Sequence, residues 1–239
     1  MNIFVTSIGN KAGKTIFSAG IAAVMQSLGY EMAFYKPIQT GCKYANDKQF
    51  APDLNFIKKV DPNIKTYSTY NFKLNLTPAV AADAERSKFT MEKVNRGFNE
   101  ATKDNDIVIV EGVGGLMTPV TGRLTFGDIA YSLKLPTVIV VNVEGDFVNR
   151  TLMTLKTAEL YPLEILGIVL NKYSPTMRQN IYHNDVKLLE QMIDYDILGF
   201  LPNIDITGEG INPETLISET LKNINLSKVF NMEIPKLDF

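Results

Sequence analysis

Gly13-Lys14-Thr15 carries the most chemistry of any three residues in this chain. The apolar run Ile3-Phe4-Val5 reads as a strand, the residues after it as a small polar loop, and the segment from Thr15 as a helix. Strand, glycine-containing loop and helix in that order form a phosphate cradle. N–H groups at a helix start lack helical partners and point at phosphate oxygens. Lys14 adds a compact positive charge on what reads as an exposed loop, and the Thr15 hydroxyl reaches a magnesium ion. The strict spacing, Gly-x4-Gly-Lys-Ser/Thr, asks for glycine at position 8 and meets Ile8, with Gly9 one step late. The loop is a variant, and its plain alternative is a strand-to-helix turn with an ordinary surface lysine.

Four further segments supply partners. Tyr35-Lys36-Pro37-Ile38-Gln39-Thr40-Gly41 stands at the end of a second strand. Pro37 fixes the chain as it leaves that strand, so Lys36 and Thr40 point from the carboxyl edge, where open α/β sheets bind ligands. Asp53 follows Pro52 at a helix start, either as a ligand or as an N-cap. Glu111 ends the apolar run Ile107-Val108-Ile109-Val110, and Gly112, Gly114 and Gly115 beyond it leave room for a close approach. A carboxylate there contacts magnesium in a nucleotide-binding sheet, directly or through water. The alternative is a glycine-rich turn with a solvated glutamate. Asn171, closing Val169-Leu170, offers donor and acceptor to a nucleobase edge, or simply marks where a strand stops.

These groups need elements to hold them, and the pattern provides a parallel sheet wrapped by helices. Strands are expected at 3–6, 32–35, 107–110, 137–143, 165–170 and 197–200. The runs at 107–110 and 138–143 are apolar without alternation, as central strands covered on both faces are. The first helix shows Phe17, Ile21, Val24, Met25 and Leu28 on one face and ends near Gly29. Further helices are expected at 53–60, 90–103, 126–133, 149–161 and 177–193, then a loop, one helix and a tail over 203–239. All 239 residues read as one domain.

Composition narrows the function classes. The chain is 45% hydrophobic and 21% charged with net charge −2, and no Lys/Arg cluster longer than a pair lies outside the loop, against a nucleic-acid surface. No apolar run approaches a membrane span. Cys42 is the single cysteine, which fits a reducing compartment, and the expectation is a soluble cytoplasmic protein. His183, the only histidine, lies in a helical stretch away from the motifs and has no catalytic part.

Together the segments resemble dethiobiotin synthetase, an ATP-dependent carboxylase and cyclo-ligase of biotin synthesis. The stretches that carry the resemblance are Thr6 to Thr15, Lys36 to Gly41, Asp53, Val110 to Gly115, and Leu170-Asn171, spanning Asn2 to about Asn203. Thr77-Pro78-Ala79-Val80-Ala81-Ala82 is similar to the family's Ser-Pro-His-x-Ala-Ala, with alanine where histidine is usual. The resemblance implies a P-loop NTPase-like α/β fold, a mostly parallel sheet with helices on both faces, and a homodimer whose active sites draw on both subunits. It implies ATP and Mg²⁺ as cofactors, and 7,8-diaminopelargonate with CO2 or bicarbonate as substrates. Nucleotide contacts fall on Asn10, Lys11, Ala12, Gly13, Lys14, Thr15, Ile16, Asp53, Glu111, Gly112, Val113, Gly114, Asn171, Lys172 and Pro202. Thr15, Asp53 and Glu111 hold the metal, Lys14 and Lys36 act on the transferring group, and Thr6, Lys36, Thr40, Gly115, Asn149 and Tyr182 meet the substrate.

Departures from the family are specific. Its loop usually begins Thr-Gly-Thr-Asp, whereas Ser7, Ile8 and Gly9 follow Thr6 here, and Lys11 replaces an acidic residue. Glu144-Gly145-Asp146-Phe147-Val148-Asn149-Arg150 replaces a Leu-Gly-x-Ile-Asn-His segment and is one residue longer. Two other readings share parts of the pattern. A corrinoid-type amide synthetase carries an added glutaminase domain with a catalytic cysteine, for which this sequence is expected to be too short. A ParA/MinD-like ATPase switch places a signature lysine five residues before the loop lysine. That position is Gly9 here, and Lys11 stands only three before.

Overall fold

Apolar runs of five to eight residues build the centre of the molecule. β1 (Ile3–Ser7), β2 (Met32–Gln39), β6 (Ile107–Glu111) and β7 (Thr137–Asn142) are buried along their whole length. With β5 (Lys65–Asn71), β8 (Ile165–Asn171) and β9 (Ile197–Leu201) they form a seven-stranded sheet in the order β5-β2-β6-β1-β7-β8-β9. Every neighbouring pair in it is parallel. The computed structural model describes residues 1–45, 48–175, 181–204 and 211–234.

Helices cover both faces, as alternating strands and helices require. They are α1 (Lys14–Ser27), α2 (Pro52–Val60), α3 (Pro78–Ala84), α4 (Met91–Lys103), α5 (Phe126–Leu133), α6 (Phe147–Leu160), α7 (His183–Met192), α8 (Pro213–Asn223) and α9 (Leu226–Phe230). A short hairpin, β3 (Lys43–Ala45) with β4 (Lys48–Phe50), stands apart from the main sheet. No described helix is long and apolar enough to cross a membrane.

Strand alternation decides which side chains can meet. Ile3, Val5, Met32, Phe34, Ile107, Ile109, Val138, Val140 and Val169 pack with α1. Their opposite neighbours Phe4, Ala33, Tyr35, Val108 and Val110 pack with residues of α4 and α5. The same parity carries Ser7, Lys36, Glu111, Asn142 and Asn171 to the α1 face at the carboxyl ends of their strands.

Several expectations shift. β2 does not end at residue 35 but runs on to Gln39, so Pro37 is inside it. Beyond Tyr35 this strand pairs only with β5, so the missing N–H of Pro37 costs nothing on the β6 side. β5 was not expected: its polar sequence buries only Tyr70, as an edge strand allows. The helix expected at 177–193 is described from His183, and 176–180 lie outside the described residues. Two helices, α8 and α9, occupy the region where one was expected.

The small residues of α1 let α8 close on it. A Cβ on Gly20 would lie 2.3 Å from Thr220 Oγ1 and 3.3 Å from Leu216 Cδ1. Gly20→Val should therefore destabilise the fold by about 1–3 kcal/mol through overpacking, read as a lower urea midpoint. An unchanged midpoint would show that α8 is not held by this contact.

Candidate active site

One glycine closes the phosphate loop against α1. Gly13 is the N-cap of α1 at φ 94°, a left-handed conformation that favours glycine, and no side chain caps the helix. A Cβ there would lie 2.0 Å from Asn171 Nδ2, and that amide donates to the Ala12 carbonyl at 2.9 Å. The end of β8 thus clamps the loop from below and leaves the first N–H groups of α1 facing the cleft. With this donor committed to the loop, the Asn171 amide first of all holds backbone, a role its sequence position does not suggest.

Beside the loop, four charges share one buried cluster. Lys36, 2% exposed, places its Nζ 2.6 Å from both Asp53 Oδ2 and Glu111 Oε1. Glu111 is fully buried; its Oε1 also accepts from Thr15 Oγ1 at 2.8 Å, and its Oε2 accepts from Ser18 Oγ at 2.7 Å. Asp53 is not the N-cap of α2, which is Ala51; it sits in the first turn, where the helix dipole favours a carboxylate. Its own N–H donates to Gln39 Oε1 at 3.3 Å.

Lys14 is not exposed, as its loop position suggested, but 7% exposed, with Nζ donating to Ser7 Oγ at 2.9 Å. Burial lowers its pKa to about 8, against the attraction of Glu111. Burial also pushes Lys36 down, but Glu111 and Asp53 outweigh that and hold it above the ordinary lysine value. Asp53 is pushed up by burial and pulled further down by the Lys36 ammonium, so it ends below the usual carboxylate range.

A cleft of about 980 Å³ opens over this cluster. Of the residues expected in the site, Asn10, Lys11, Ala12, Gly13, Lys14, Thr15, Ile16, Lys36, Thr40, Asp53, Glu111, Val113, Gly114, Asn171 and Lys172 line it. Gln39, Pro52, Phe56, Asn75, Leu76, Thr77, Pro78 and Thr118 line it as well and were not expected there. Gln39 ends β2, Thr118 lies between β6 and α5, Pro52 and Phe56 belong to α2, and the Asn75–Pro78 segment follows β5, which its pairing with β2 sets beside the cleft. Ser18 and Ser7 escaped notice because buried serines in apolar runs give no pattern.

Six expected residues lie outside the cleft wall. Thr6 is on the opposite face of β1, and its buried hydroxyl has no hydrogen-bond partner among the described residues. A Cβ on Gly115 would stand 2.9 Å from the Ser7 carbonyl, and one on Gly112 would meet Phe126 and Phe4 within 3.4 Å, so both lie beneath the cleft. Asn149 is exposed and donates to Asp146 Oδ2 at 3.0 Å. Tyr182 accepts from Gly145 N–H at 3.1 Å and sets its ring edge against Phe147. Pro202 directly follows β9.

Comparisons with known proteins bear on the family and the fold. A family model described as an AAA domain matches residues 1–210. The chain belongs to this family. It is 28% identical over 215 residues to the ATP-dependent dethiobiotin synthetase BioD of Bacillus thuringiensis (strain Al Hakam), covering 90% of this chain and 88% of that protein. A second such synthetase, from Bacillus subtilis subsp. natto, is 28% identical over 228 residues, 95% of this chain and 96% of its own. Among solved structures, the fold is similar to a chain of the MinC:MinD cell division protein complex of Aquifex aeolicus. That match has TM-score 0.57 and 13% identity and covers 100% of this chain and 99% of the other. A ParA family ATPase from Chlorobium tepidum TLS matches at TM-score 0.53 and 15% identity, over 97% of this chain and 93% of its own. These two likenesses concern the fold of this AAA-domain family member.

The Asp53–Lys36 pair makes a pH prediction. A depressed carboxylate pKa contributes stability that is complete above the ordinary aspartate value of about 3.9 and is lost as pH falls through the depressed one. Asp53→Asn should therefore lower the urea midpoint at neutral pH, by roughly 1–3 kcal/mol of stability. The gap to wild type should close only as pH falls through the depressed value, where the wild-type carboxylate is protonated as well. A gap that stayed constant through that fall would mean Asp53 owes nothing to Lys36.

Proposed function

We propose that this protein is an ATP-dependent dethiobiotin synthetase, which carboxylates 7,8-diaminopelargonate with CO2 and closes the cyclic urea with release of ADP and phosphate. The observation that carries the reading is a second buried lysine, Lys36, beside the phosphate-loop lysine in one cleft. A nucleotide site needs only Lys14 and the start of α1. An additional buried cation at the same place suits a second anion that meets the phosphoryl group. The relatives at 28% identity over nine-tenths of the chain support the same reading.

The chemistry then distributes over named groups. One amine of the diamine takes up CO2 as a carbamate, which holds together only while its charge is compensated. Lys36 pairs with that carbamate, and Thr40 hydrogen-bonds it from the same wall. A carbamate oxygen attacks the γ-phosphoryl group of ATP, giving ADP and a carbamic-phosphoric anhydride, with Lys14 and the α1 N–H groups holding the transferring oxygens. The second amine attacks the carbonyl carbon, phosphate leaves, and the nitrogen sheds its proton as the ring closes. Every intermediate is anionic, so the site works through cations and not through a strong base.

Thr15, Asp53 and Glu111 suit Mg²⁺, because all three present hard oxygen donors within one hydrogen-bonded cluster. The described residues hold no cluster of three His, Cys, Asp or Glu, so an ion held by these residues would need further ligands from the nucleotide or solvent. When bound, the ion neutralises charge developing on the phosphates. Lys36 stands between the same two carboxylates, and their release of it frees the ammonium for the carbamate. The reading also includes a homodimer in which Asn149 and Tyr182, outside their own cleft, serve that of the partner.

Phosphate release should depend strongly on the diamine in bicarbonate and Mg²⁺; release that responds to DNA or lipid instead would sink the synthetase reading. Lys36→Ala and Lys36→Arg should both lose dethiobiotin formation while nucleotide affinity stays within a few fold, since the guanidinium fork is larger and aimed differently. Lys14→Ala should cut turnover about a hundredfold or more. Glu111→Gln should raise the Mg²⁺ concentration needed for half-maximal turnover, and an unchanged magnesium titration would remove Glu111 from the metal site.

A further inference from the structure

Lys14 and Lys36 are both buried cations, yet they are held in opposite ways. Two carboxylates neutralise Lys36 at 2.6 Å each. Among the described residues, Lys14 has one hydrogen-bond acceptor, the Ser7 hydroxyl at 2.9 Å. A neutral acceptor fixes the direction of an ammonium without cancelling its charge, which a carboxylate would do. The full charge of Lys14 thus remains for an incoming anion.

Ser7 is fully buried at the carboxyl end of β1, where two loops cross. Its single proton goes to the Gly9 carbonyl at 2.7 Å or to the Gly114 carbonyl at 3.0 Å. One of these carbonyls belongs to the phosphate loop, the other to the turn that follows Glu111. The crossing is tight, since a Cβ on Gly115 would press to 2.9 Å from the Ser7 carbonyl oxygen. The hydroxyl therefore joins Lys14, the loop and the turn at one oxygen.

We propose that Ser7 is a positioning residue that aims Lys14 at the nucleotide phosphates, its own hydroxyl being fixed by carbonyls of the phosphate loop and the Gly112–Gly115 turn. This rests on the reading that Lys14 holds phosphate, but not on the identity of the second substrate. Without the hydroxyl, the Lys14 ammonium loses its fixed direction, and part of the binding energy goes into ordering it.

Affinity for the ATP analogue AMPPNP, measured by calorimetry on the full chain with Mg²⁺, tests the proposal in a double-mutant cycle. Ser7→Ala should weaken binding about tenfold, the range of one hydrogen bond to a charged group. In a Lys14→Met background the same change should alter affinity less than about twofold, because nothing is left to aim. Ser7→Gly serves as a second variant, and thermal melts establish that each protein is folded. Equal losses in both backgrounds, or none in either, would overturn the role of Ser7. Wild-type protein that binds no AMPPNP would overturn both this proposal and the nucleotide site, whereas diamine-independent phosphate release overturns only the synthetase reading.

Discussion

A buried ammonium between two carboxylates governs this molecule. Lys36 touches Asp53 on α2 and Glu111 on β6, and Glu111 in turn accepts from Thr15 and Ser18 on α1. Four elements, α1, β2, α2 and β6, are thereby tied at one point. Removing Lys36 would leave the fully buried Glu111 without its cation, at a cost of about 3–5 kcal/mol. Replacing the whole cluster by apolar residues would often be neutral, so stability alone does not explain keeping four charges beneath a cleft. Retention of charge where apolar packing would serve points to chemistry.

The sheet makes that cluster possible by simple parity. Lys36, Glu111 and Ser7 each stand an even number of residues beyond strand positions that pack under α1. In a parallel sheet all carboxyl ends share one edge, so these side chains gather there beside the start of α1. Thr6, one residue off, is turned to the other face. A slip of one residue in β2 or β6 would exchange the charged group for an apolar one, and the cluster would vanish.

The same architecture is found in a cell division protein complex and a ParA family ATPase at 13% and 15% identity. That likeness shows a common fold, while function is decided by the groups placed on it. Here those groups are a glycine at position 9, where a switch ATPase would carry its signature lysine, and a lysine at position 36. Within one cleft, Lys14 has a neutral partner and Lys36 an anionic one, so the two cations are held differently.

Local sequence determined the phosphate loop, the apolar central strands and most helices, because each depends on neighbours within a turn or a strand. Gly13-Lys14-Thr15 and the run ending at Glu111 were legible for that reason. The resemblance carried the reading further, to Lys36 and Asp53 as one site. Only the tertiary structure decided that these two pair, that Lys14 is buried and not exposed, and that Asn171 clamps Gly13 from 158 residues away. It alone brought Phe56 of α2 to the cleft, and the Asn75–Pro78 segment through a polar edge strand that no hydrophobic pattern announces. It also set Asn149 and Tyr182 outside that cleft. Pattern records what a residue does with its chain neighbours; burial, charge pairing and close backbone approach arise between segments that the fold alone brings together.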